Sequence, residues 1–76
     1  MMCGQGNYNP SGKPIGIDQA AEAARNYVRD YDSRLVVTEV MEFAWNYYAE
    51  VDEEASGIHA MELVVDKSSG GVYPEQ

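Results

Sequence analysis

The chain has 76 residues, enough for one small domain, and its 13 Asp+Glu against 5 Lys+Arg give a net charge of −8. That charge repels phosphate backbones and anionic lipid surfaces, so nucleic-acid and membrane-surface binding are disfavoured. A single cysteine, Cys3, excludes an intrachain disulfide, and one Cys with one His (His59) falls short of a four-ligand zinc set.

Residues 1–14, "MMCGQGNYNPSGKP", are rich in Gly, Asn, Ser and Pro and show no apolar period. They read as a flexible tail or linker ahead of a domain at residues 15–76. Met1, Met2 and Cys3 offer soft atoms that suit Cu(I), although two or three such atoms on a loose segment make a poor site. The glycines lack the spacing of a phosphate-binding loop.

"GIDQAAEAARNYVRDYD" predicts a helix over about residues 17–30. Ile17, Ala20, Ala21, Ala24, Tyr27, Val28 and Tyr31 fall on one stripe. Gly16 suits the N-cap, Asp18 the positive helix end and Gln19 the third helical position. The small alanines allow the helix to lie close to a sheet.

After Ser33 the pattern changes to period two. Leu35, Val37, Met41 and Phe43 share one face, interrupted by Glu39; Val36, Thr38, Val40 and Glu42 share the other. A three-residue "AWN" loop with Asn46 in the left-handed region would pair Phe43 with Tyr47, Met41 with Ala49 and Glu39 with Val51. "DEEASG" reads as a solvated loop. The next strand, "IHAMELVVD", sets Met61, Leu63 and Val65 inward and Ala60, Glu62 and Val64 outward. In "DKSSGG", Asp66 can accept from nearby backbone N–H groups, and Gly70 or Gly71 supplies a positive φ. "VYP" opens a short fourth strand, with Pro74 at an edge or an end. The expected fold is α+β, with one N-terminal helix packed on one face of a three- to four-stranded antiparallel meander.

No catalytic residue, cofactor site or metal site is expected, because nothing brings a nucleophile, a base and an oxyanion donor together. Glu39 is the one acid on the core side. Glu42, Glu50 and Glu62, with Asp52 nearby, could gather around Ca²⁺, but a flat sheet offers few converging oxygens. His59 reads as a rim histidine with loop acids for partners. The helix leaves one sheet face open, and Val36, Val40, Glu42, Tyr48, Glu50, Glu62 and Val64 make it a candidate partner-binding surface. Trp45, at the hairpin tip, either joins that surface or folds back over the helix. The occupant would be a protein partner or a second copy in a weak homodimer. No apolar run approaches the roughly 18 residues of a membrane span.

The segments "IDQAAEAARNYV", "EVMEF", "NYYAEV" and "AMELVVDKSSGGVYPE" resemble a PepSY-type domain. In that family a helix with an A-x-x-A-x-x-Y/F rhythm precedes strands of the form Y-x-V and E-L/V-x-V-D-x-x-[ST]-G-x-V. The last motif is matched by Glu62 to Val65, Asp66, Ser69, Gly70 and Val72. The likeness covers Ile15 to Glu75 and extends to exported proteins with Met/Gly-rich N-termini. It implies a non-catalytic interaction or regulatory module in the periplasm or outside the cell. Propeptide modules of this type act on an attached protease. None accompanies this sequence, so partner binding is the implied role rather than direct inhibition. Met1 to Asn9 lack the basic and apolar regions of a signal peptide, and the closing hairpin suggests a piece of a longer parent. The alternative is a periplasmic cation-binding protein that uses the acidic face or the Met/Cys tail.

Overall fold

The computed structural model describes residues 13–75. Of the tail expected at residues 1–14, only Lys13 and Pro14 lie within them, and both are exposed. One helix, α1 (Ile17–Tyr31), is followed by β1 (Leu35–Glu42), β2 (Asn46–Glu53), β3 (His59–Asp66) and β4 (Val72–Pro74). The strands lie in the order β1-β2-β3-β4, each antiparallel to its neighbour. This is the α+β arrangement expected from the sequence.

The helix begins as its sequence directs. Gly16 takes the N-cap, and its N–H donates to Gln19 Oε1 at 3.2 Å. Its buried stripe is Ala20, Ala23, Ala24 and Val28, with Tyr27 packed alongside. That is an i, i+3, i+4, i+7, i+8 pattern, turned slightly from the one expected. Ile17 and Tyr31 are exposed instead of buried. At the first turn Ile15 does the sealing. It is buried, its N–H donates to the Lys67 carbonyl, and its own carbonyl accepts the Tyr47 hydroxyl, both at 3.0 Å. At the last turn Tyr31 stacks on Tyr27, with centroids 6.4 Å apart. The chain then turns at Asp32, whose carboxylate accepts from the Arg34 guanidinium and N–H, both at 2.9 Å. Those bonds hold the Asp32 carboxyl below its usual range.

The sheet departs from the expected register. Glu42 pairs with Tyr47, Met41 with Tyr48, Val40 with Ala49 and Glu39 with Glu50. Phe43 N–H donates to the Asn46 carbonyl at 2.8 Å, so Ala44 and Trp45 form the tip. Among the described residues only glycines have positive φ, so Asn46 is not left-handed. Beyond Glu39 the ladder shifts by one, and Val37 pairs with Val51. The extra residue, Thr38, is a β-bulge, and a bulge inverts the alternation beyond it. Leu35 and Val37 face the helix as expected, but so does Val40. Glu39, Met41 and Phe43 turn to the open side. Desolvation explains the choice: Val40 packs into the core beside Ala49, a position the unbulged alternation would give to the Glu39 carboxylate.

The core lies between α1 and the helix-facing side of the sheet. Tyr47, Ala49 and Val51 of β2 and Leu63 and Val65 of β3 fill its centre, flanked by Leu35, Val37, Val40, Met61 and Val72. The inward places expected for Met61, Leu63 and Val65 hold. β4 stops at Pro74, which pairs with Leu63 on the sheet edge.

The β3–β4 turn also forms as its residues suggest. Asp66 Oδ1 accepts from the Ser68 N–H and hydroxyl, both at 2.7 Å, and from the Ser69 N–H at 3.2 Å. Gly70 carries the positive φ of 77°. The Ser68 hydroxyl and then the two amides hold the Asp66 carboxyl below its ordinary 3.8. A depressed folded value means that its contribution is present above the unfolded pKa and is lost as pH falls through the folded one. The residue is only half-buried and its carboxylate stays within reach of solvent screening, so the stability at stake is small. Amide chemical shifts of Ser68 and Ser69 should therefore titrate together, with a midpoint below 3.8. A midpoint at or above that value would show that the turn does not hold the carboxylate.

Candidate functional site

The side of the sheet away from α1 is the candidate surface. Alternation from the observed register places Val36, Thr38 and Met41 of β1, Tyr48, Glu50 and Asp52 of β2, and Glu62 and Val64 of β3 on it. Of the residues expected there, Val36, Tyr48, Glu50, Glu62 and Val64 are brought together. Val40 is not, because the Thr38 bulge turns it into the core. Glu42 is not either. It pairs with core-facing Tyr47, and its Oε2 takes the Lys67 ammonium at 2.8 Å. Lys67 also lies over the Tyr47 ring, 5.0 Å from its centroid. Glu42 therefore belongs to the helix-facing rim. The expected three-residue loop would set Tyr48 beside Glu42 and Val40 beside Glu50; the observed register gives them Tyr47 and Glu39 instead.

One end of this face is aromatic. Phe43 meets Tyr48 edge to face, with centroids 5.1 Å apart and planes at 72°. Tyr48 pairs with Met41 on one side and Val64 on the other, and Val64 pairs in turn with Tyr73. Val64 is only 4% exposed although, among the described residues, no helix covers it. Its cross-strand neighbours Tyr48 and Tyr73 flank it, which makes this group a small second apolar cluster on the sheet. Phe43 and Tyr73 are each half exposed, and Trp45 at the adjoining tip is 83% exposed. Trp45 therefore points to solvent rather than back over the helix. Glu39 and the cross-strand pair Glu50–Glu62 add carboxylates to the apolar ground.

The other end is polar. Glu50 and Asp52 stand two residues apart on β2, and His59 opens β3 opposite Asp52. His59 Nδ1 lies 3.3 Å from Glu50 Oε2 and 3.6 Å from Asp52 Oδ1. Of the loop acids expected as partners of His59, Asp52 is beside it, and Glu50 of β2 is the second partner. The signal for this grouping was present as Glu50-x-Asp52, since residues two apart on a strand share a face. What the sequence hid was a second bulge, which shifts the β2–β3 ladder between Val51 and Asp52 and sets His59 opposite Asp52.

No family model, no curated protein and no solved structure matches the chain. Among the described residues no helix is long and apolar enough to cross a membrane.

Proposed function

We propose that the chain is a non-catalytic, extracytoplasmic interaction module of PepSY type that grips a basic, partly apolar segment of a partner protein on the aromatic end of its open sheet face. The observation that carries this is the Phe43–Tyr48–Val64–Tyr73 group, an apolar patch on a face that no helix covers among the described residues. Exposed aromatic clusters beside a polar surround are the usual anchors of protein interfaces. Charge selects the partner. Glu39, Glu50 and Glu62 adjoin the patch, and the net charge of −8 draws in basic chains while repelling a second copy. The face is favoured over the edge, because β1 carries a bulge and Glu39, both of which hinder strand addition. The non-catalytic reading is supported by His59, which faces two carboxylates instead of the hydroxyl or thiol that nucleophilic catalysis employs.

A short peptide alternating Lys with Val and Phe is the probe. In ¹H–¹⁵N titrations it should shift Met41, Phe43, Trp45, Tyr48 and Val64, more weakly as salt is raised. Trp45→Ala, or Phe43→Ala, should weaken it by roughly tenfold or more, the scale of an anchor residue. The reading fails if a peptide with Glu in place of Lys binds as well, or if the shifts fall on α1. It also fails if sedimentation shows this face closed by a stable homodimer.

A further inference from the structure

Apart from Glu50, which also borders the partner-binding patch, the polar end of the open face has features that partner binding does not use. Tyr48 and Asp52 are four residues apart on β2, about 13 Å along a strand, so the two ends are separate places. The two bulges of the sheet both flank Asp52. One raises Thr38, whose hydroxyl donates to Asp52 Oδ2 at 3.3 Å. The other brings His59 opposite Asp52. Bulges are a common means of re-aiming side chains at working sites. With Oδ2 occupied, Asp52 Oδ1 is left sealed from solvent and without a hydrogen-bond partner. A buried acceptor in that condition is costly and calls for an explanation. The imidazole nitrogen at 3.6 Å lies just beyond hydrogen-bond reach.

We propose that Glu50 Oε2, Asp52 Oδ1 and His59 Nδ1 form a three-ligand site for a first-row divalent cation of the zinc class. One such atom from each residue lies within 4.8 Å of the others. A tetrahedral ion with bonds of about 2.0–2.1 Å sets neighbouring ligands roughly 3.3 Å apart. The nitrogen-to-oxygen separations of 3.3 and 3.6 Å are edges of that size. A cation there would give the orphaned Asp52 oxygen its partner. The donor set also selects the ion. One imidazole with two carboxylates suits zinc and its neighbours, whereas calcium takes six to eight oxygens. Thr38 holds the Asp52 carboxylate from behind, the usual support for a ligand. Counting only Cys and His excluded zinc because it left the carboxylates out. The fourth position falls to water, as in three-ligand zinc sites generally.

The alternative is a protonated His59 simply paired with two acids, and the test separates the two. The full chain carrying Cys3→Ser, which removes the tail thiol, is titrated with zinc by calorimetry. In parallel its one histidine is followed by ¹⁵N resonance of the ring. The expected result is one zinc per chain, with the Nδ1 signal moving as zinc is added. Excess calcium or magnesium should not displace it. His59→Ala, at an exposed position, should weaken binding by at least about tenfold, because even supporting residues of metal sites cost that much. Glu50→Gln should do the same and guards against a folding artefact at one position. An imidazole unmoved by zinc, or affinity unchanged in both variants, would overturn the site.

Discussion

Replacing Leu63 with alanine is expected to lower the thermal midpoint by about 15 °C. Leu63 is fully buried on β3, paired with Ala49 on one side and Pro74 on the other. The core it belongs to also holds Ala20, Ala23, Ala24 and its strand partner Ala49, whose short side chains cannot swing into the space it would leave. A leucine-to-alanine cavity that stays open costs about 3 kcal/mol. In a domain of this size each kcal/mol moves the midpoint by roughly 4–8 °C. A small domain also buries too little surface to absorb such a loss easily. Melting followed by circular dichroism measures it. A drop below about 5 °C, near 1 kcal/mol, would mean that the sheet does not close over Leu63.

The second large effect comes from making the core too full. Ala24 is fully buried on the face that α1 turns to the sheet. Its lack of a longer side chain is what lets the helix lie close. Ala24→Leu should force α1 away from the sheet, at a cost of about 1–3 kcal/mol and a midpoint lower by roughly 10 °C. Ala21→Leu is the informative contrast, because Ala21 is only half-buried. It should cost about 0.5 kcal/mol or less. Equal losses at the two positions would mean that the buried stripe is centred elsewhere.

That contrast marks how far the sequence could be read. The element order, the helix limits to within a residue, the Gly16 cap and the Asp66–Gly70 turn followed from local chemistry. Each depends on residues close in the chain. The inward set on β3 followed because its alternation from Met61 to Val65 is unbroken. β1 was misread because a bulge leaves no local mark. Thr38 and Glu39 are ordinary strand residues, and only the competition for the place beside Ala49 decides which of Val40 and Glu39 goes inward. One bulge moved Val40 off the open face and brought Met41 and Phe43 onto it. A second set His59 opposite Asp52. The stripe on α1 was misplaced for a different reason. Ile15 lies before the cap, where helical periodicity does not reach, yet it takes the buried place that Ile17 was expected to fill. Five of the eight residues expected on the open face are there, and Trp45 stands exposed at its border.

The strand order β1-β2-β3-β4 bears on how the chain assembles in time. Every strand partner is the next strand along the chain, so each pairing closes only a short loop and loses little chain entropy. Contacts between near neighbours in sequence favour rapid folding. Each of the three hairpins can grow from its own turn without waiting for distant parts of the chain. The slow closure is left to the segment around Ile15, which must return across 32 positions for its carbonyl to receive the Tyr47 hydroxyl. The sheet can thus grow ahead of the longest closures, the Ile15 contacts to Tyr47 and Lys67 that seal the first turn of α1.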